Sequence, residues 1–110
     1  MNDTQRTLGE VLSRLERTIN ARKGAPPDAS YTASLLAGGA EKCAKKFGEE
    51  SVEAALAAVA GDKEHLTAEA ADVLYHLIVM LAQAGLSLSD VATVLIQREG
   101  VSGHDEKAAR

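Results

Sequence analysis

Two features of the sequence predict an all-α fold, a helical bundle of about four to five helices, and a third predicts its assembly as an oligomer. Apolar residues fill 45% of the 110 positions while aromatics fill only 3%, so the hydrophobic volume comes mainly from Ala, Leu and Val. That mixture favours packed helices, whereas sandwiches and barrels draw on β-branched and aromatic side chains. Apolar residues also recur at intervals of three and four through most of the chain. Finally, a chain of this length buries only about two-thirds of its unfolded surface. Its core is thin, and oligomerisation is expected on that ground alone. One domain covers residues 1–110, with 101–110 as a polar tail.

The elements follow in order. Leu8, Val11, Leu12, Leu15 and Ile19 mark an amphipathic first helix, starting after Asp3 or Thr4 and ending near Arg22. Lys23-Gly24-Ala25-Pro26-Pro27-Asp28 breaks it, because proline cannot donate to a helix ladder. Ser30 caps a short second helix carrying Tyr31, Leu35 and Leu36, and Gly38-Gly39 ends that helix. The third helix runs from about Ala40 to Ala60, with Gly61 as its C-terminal cap. Gly48 lies inside it at a cost of about 1 kcal/mol relative to alanine, consistent with either close approach of a neighbour or a tolerated glycine. The fourth helix starts between Lys63 and Ala68, with Thr67 as one candidate cap, and runs to Ala84 before Gly85. Ser87 or Ser89 opens a fifth, carrying Val91, Val94, Leu95 and Ile96, and Gly100 closes it.

The balance of 12 basic against 16 acidic residues, a net charge of −4, argues against sequence-independent nucleic-acid binding, which needs a basic footprint. A single cysteine, Cys43, excludes an intrachain disulfide and any multi-cysteine zinc site, and suits a reducing compartment. The N-terminus lacks a signal-peptide apolar core, and Val73–Ala84 is too short and too polar to span a bilayer. A soluble, cytoplasmic protein with no membrane partner is the expectation.

Two acidic clusters carry the chemistry. Glu49, Glu50 and Glu53 fall within about 100° of one another on a helix, with Lys42 and Lys46 on the same side. His65, Glu69, Asp72, His76 and Gln83 form a narrow polar stripe on an otherwise apolar helix. A surface helix has a broad polar face, so Glu69 and Asp72 are expected in or beside packed structure. Carboxylates placed there need a compensating cation. A hard divalent ion such as Mg²⁺ suits all-oxygen ligands and is commonly shared with substrate phosphates. The same spacings also occur as ordinary ion-pair decoration, and the residues alone leave both open.

The run Lys45-Lys46-Phe47-Gly48-Glu49-Glu50-Ser51-Val52-Glu53-Ala54, followed by Glu69-Ala70-Ala71-Asp72-Val73-Leu74-Tyr75-His76, resembles the signature of the MazG-like all-α nucleotide pyrophosphohydrolases: EExxE, a spacer, then ExxD. Ser30-Tyr31-Thr32 upstream, and Arg98-Glu99-Gly100 with Ser102-Gly103 and Glu106-Lys107 downstream, narrow the resemblance to the phosphoribosyl-ATP pyrophosphatase family of histidine biosynthesis. It covers the chain from about Leu8 to Arg110. One departure is Val101-Ser102-Gly103-His104-Asp105, where the family pattern has threonine before the serine and apolar or small residues after the glycine.

The resemblance implies Mg²⁺-dependent hydrolysis of phosphoribosyl-ATP to phosphoribosyl-AMP and pyrophosphate, by a homodimer with sites near the subunit interface. Glu49, Glu50, Glu53, Glu69 and Asp72 match the family's metal-binding positions. Glu50 or Glu53 is the candidate general base, and Lys42, Lys45 and Lys46 are candidate phosphate contacts. His76 is a candidate for orienting a carboxylate, or else a satisfied, half-buried side chain, and Tyr31 is a candidate for stacking on adenine, or else a core tyrosine. Three rival readings remain: a house-cleaning nucleoside triphosphate pyrophosphohydrolase, a di-iron bundle and a non-enzymatic helical adaptor. The di-iron design wants histidine three residues after glutamate, and neither cluster supplies it.

Overall fold

The computed structural model describes residues 6–101. Among them are five helices: α1 (Leu8–Ala21), α2 (Tyr31–Ala37), α3 (Gly39–Ala60), α4 (Lys63–Gln83) and α5 (Leu88–Arg98). The all-α bundle read from the sequence is therefore the fold observed. Asp3, Thr4 and the tail beyond Val101 lie outside the described residues.

Local chemistry sets each boundary. Thr7 is extended and accepts the Glu10 N–H through its hydroxyl, so α1 starts at Leu8, later than expected. Ser30 caps α2 through Ala33 N–H, as its sequence position suggested. Gly39 has φ +78°, which turns the chain sharply enough for α3 to begin directly after the cap of α2. Gly61, at φ +73°, closes α3 in the left-handed conformation. The next residue, Asp62, accepts the His65 N–H at 3.0 Å and caps α4. Thr67 is thus not the cap; its hydroxyl donates to the Lys63 carbonyl within the helix. Ser87 and Asp90 form a reciprocal capping box on α5. Leu88 N–H also donates to the Glu16 carboxylate at 2.7 Å, tying the start of α5 to α1.

The two-residue turn makes α3 and α4 an antiparallel hairpin, the most extensive helix pair in the molecule. The core gathers along α4: Ile19 from α1, Leu35 from α2, Cys43 from α3, then Ile78, Val79 and Ala82. Cys43 is a buried small hydrophobe whose thiol donates to the Leu35 carbonyl. Burial pushes its pKa up, against the opposing charge of Lys42. Taken whole, α4 is long and apolar enough to cross a bilayer by length and composition. Its contacts with α1, α2 and α3 make it the central helix of this bundle. The outward face of α3 leaves Val52, Leu56 and Val59 exposed, and α5 buries none of its residues. A Cβ at Gly48 would meet nothing within 4 Å, so no neighbour among the described residues explains that glycine.

A candidate metal and phosphate site

The turn at Gly61-Asp62 fixes the register of the hairpin and sets Glu50 of α3 opposite Glu69 and Asp72 of α4. One carboxylate oxygen from each of these three residues lies within 4.8 Å of the others. Glu69 is buried, with 9% of its surface exposed. Its Oε1 accepts from His65 Nε2 at 3.1 Å, while its Oε2 is buried without a partner among the described residues. Burial raises the Glu50 pKa, and the adjoining Glu69 carboxyl and the charges of Glu53 and Asp72 raise it further. Three crowded carboxyls with an orphaned buried oxygen form an arrangement that a cation relieves.

The donor set fits a hard divalent ion. Oxygens bound about 2.1 Å from Mg²⁺ stand roughly 3 Å apart when adjacent and about 4.2 Å apart when opposite. The observed 4.8 Å limit is close enough that small side-chain movements would bring all three oxygens into reach. Glu49 and Glu53 stand outside this trio. Glu49 is exposed and pairs with Lys46 at 3.2 Å, whereas Glu53 is exposed and acts on Glu50 through its charge.

Lys42, Lys45 and Lys46 line a hollow of about 460 Å³ together with Gly38, Glu41 and Glu49; none of the trio lines it, but Glu49 is the chain neighbour of Glu50. Lys42 Nζ donates to the Ser34 carbonyl at 3.5 Å. The hydrogen bond to Glu49 raises the Lys46 pKa, with Tyr31 adding to the effect. A separate hollow of about 320 Å³, lined by Lys23, Ala33, Leu36, Ala82 and Gln83 among others, contains none of the acidic trio. Ala82 is ten residues beyond Asp72, about 15 Å along the helix, so that hollow lies at the C-terminal end of α4, away from the acids at its middle.

Tyr31, Tyr75 and His76 form an aromatic cluster about one helical turn from Asp72 along α4. Tyr31 lies nearly parallel to Tyr75 at 6.4 Å and edge-on to His76 at 6.2 Å. Tyr75 meets His76 edge-on at 4.9 Å and shares a hydrogen bond with Thr32. Tyr31 is exposed rather than a core tyrosine. His76 is buried, and its Nδ1 has no partner among the described residues. Burial lowers its pKa, Lys46 lowers it further, and Asp72 and Glu49 oppose the shift. His76 therefore feels both the lysine hollow and the acidic cluster.

Sequence reasoning placed His65 in the polar stripe without a role. The structure gives it one contact that matters, the bond to Glu69. Its only signal was the four-residue spacing that sets neighbouring side chains together on a helix.

Comparison with known proteins identifies the family. The family model described as phosphoribosyl-ATP pyrophosphohydrolase matches residues 12–99. A protein of Dinoroseobacter shibae named phosphoribosyl-ATP pyrophosphatase is 64% identical, over 91% of this chain and 98% of its own length. Relatives with the same name from Cereibacter sphaeroides and Paracoccus denitrificans are each 62% identical, the first over 91% of this chain and 97% of itself, the second over 90% and 92%.

Proposed function

Because the chain belongs to the phosphoribosyl-ATP pyrophosphohydrolase family, we propose that it hydrolyses phosphoribosyl-ATP to phosphoribosyl-AMP and pyrophosphate, a step of histidine biosynthesis, with Mg²⁺ held by its acidic residues. The observation that carries this reading is the meeting of Glu50, Glu69 and Asp72 around an unpartnered buried Glu69 oxygen. Glu50, Glu69 and Asp72 are the inner ligands in this account. Glu49 and Glu53, on the same helix as Glu50, are the outer acidic residues of the proposed site, and Glu53 already acts on Glu50 through its charge. A bound divalent ion lowers the pKa of water and offsets charge on a leaving pyrophosphate.

The chain's own residues supply the rest. Water attacks the α–β phosphoanhydride, and a carboxylate accepts its proton. Glu53, outside the inner trio, is the better placed of the two candidate bases, because Glu50 is committed to the cluster. Lys42, Lys45 and Lys46 offer compact ammonium groups to the phosphates from the adjoining hollow. Tyr31 presents an exposed ring for stacking on adenine. His76, packed against Tyr31 and Tyr75, keeps that ring beside the acids.

The working form in this proposal is a homodimer in the cytoplasm. Its support is the uncovered apolar face of α3, where Val59 is 89% exposed, and the unburied α5. A radius of gyration of 15.9 Å, against about 13 Å for a compact domain of this length, also fits a protomer that closes its core against a second copy. The test of the reaction is pyrophosphate release from phosphoribosyl-ATP with Mg²⁺ and then with EDTA. Turnover of dATP or dCTP instead would move the protein to the house-cleaning hydrolases. Metal-independent or absent turnover would defeat the proposal.

A further inference from the structure

We propose that His65 is a positioning residue that holds Glu69 in its metal-binding rotamer. The inference rests on the Mg²⁺ reading above and assigns a residue which that reading leaves without a role. Three observations meet here. Asp62 Oδ1 caps the His65 N–H at 3.0 Å, fixing the first turn of α4 where the ring is anchored. His65 Nε2 then donates to Glu69 Oε1 at 3.1 Å. The second Glu69 oxygen, Oε2, is buried without a partner among the described residues, and Glu69 contributes an oxygen to the trio with Glu50 and Asp72.

The physical logic is preorganisation. A glutamate has three rotatable side-chain bonds, and ordering them at the moment of metal capture weakens binding. Repulsion from Glu50 and Asp72 pushes an unrestrained Glu69 away from the cluster. One hydrogen bond from the preceding turn resists that push and leaves Oε2 for the ion. The imidazole is largely exposed, with 54% of its side-chain surface open. Removing it therefore takes little from the core, which lies among Ile19, Leu35, Cys43, Ile78, Val79 and Ala82.

The experiment measures Mn²⁺ binding to the full chain, without substrate, by the electron paramagnetic resonance signal of the free ion. Wild type is compared with His65→Ala, His65→Gln and Asp72→Asn. Loss of an outer hydrogen bond to a metal ligand weakens affinity by about 10–100-fold, and His65→Ala is expected in that range. His65→Gln, whose amide nitrogen reaches the place of Nε2, is expected within about threefold of wild type. In turnover, His65→Ala is expected to raise the half-saturating Mg²⁺ concentration while the rate at saturating metal returns towards wild type. Wild-type affinity in His65→Ala, with binding lost in Asp72→Asn, overturns the positioning role alone. Equal losses in His65→Gln and His65→Ala overturn it too, because the donor hydrogen bond would not be what matters. No Mn²⁺ binding by wild type overturns the metal reading and this inference with it.

Discussion

Replacing Glu50 with Gln separates the stability of the apo protein from its affinity for metal. Two unit charges 4.8 Å apart, the outer limit within the trio, repel by about 0.9 kcal/mol in bulk water and about 3.5 kcal/mol at an effective dielectric of 20. Glu50→Gln removes two such pairs. Asp72 is exposed and Glu50 only half-buried, so screening holds the effect near the aqueous value, about 1–2 kcal/mol. In a domain of this size that raises Tm by roughly 4–10 °C. The pH dependence follows from the raised Glu50 pKa. Its folded value lies above its unfolded value, so the penalty on wild type is absent below the unfolded value, near pH 4, and grows as pH rises through the folded value. The stabilisation in Glu50→Gln is therefore expected at pH 7.5 and should fade towards pH 4. Metal acts in the opposite direction. At ten times its Kd, Mg²⁺ adds about 1.4 kcal/mol to wild type, and a variant lacking one inner ligand gains less. Scanning calorimetry of both proteins, with EDTA and with Mg²⁺, reads the two effects. A Glu50→Gln protein no more stable than wild type in EDTA, or one with an undiminished Mg²⁺ shift, would refute the reasoning.

Other consequences follow from the same geometry. Asp72→Ala and Glu53→Ala should each abolish pyrophosphate release with far-ultraviolet circular dichroism nearly unchanged; full activity in either removes that residue from the site. Leu35 is fully buried, so Leu35→Ala should cost about 2–5 kcal/mol in urea denaturation, and a loss under 1 kcal/mol would contradict the core assignment. His76 has a lowered folded pKa, so the unfolded chain takes up its proton first. Stability should then fall as pH drops below about 6.5, by at most about 1.4 kcal/mol per pH unit, and His76→Gln should remove that slope. Leu56→Glu and Val59→Glu alter exposed residues and should convert a dimer into a monomer in light scattering; a wild-type monomer at micromolar concentration would contradict the proposed assembly.

Much of the fold was legible because its punctuation is local. Ser30, Gly61 and Ser87 act within one turn of chain, and each sits where the helix pattern starts or stops. Asp62 was harder to read, since Thr67 is also a capping residue type; the immediate turn after Gly61 decides between them. The acidic set was legible as a group but not as a geometry. A helical wheel puts Glu49, Glu50 and Glu53 on one face, and only the register of the α3–α4 hairpin selects Glu50 to meet Glu69 and Asp72. The Glu16 contact with Leu88 N–H joins residues 72 positions apart, and no local pattern announces it. The open face of α3 was obscured for a different reason. Its apolar residues share a helix with charged ones, and which of them a neighbour covers depends on packing.

The most direct test of the central claim is calorimetric titration of Mg²⁺ into the full chain with a non-hydrolysable phosphoribosyl-ATP analogue, beside the Asp72→Asn protein. Saturable, analogue-strengthened binding in wild type that is lost in Asp72→Asn is the predicted result. Equal binding in the two proteins would contradict the account.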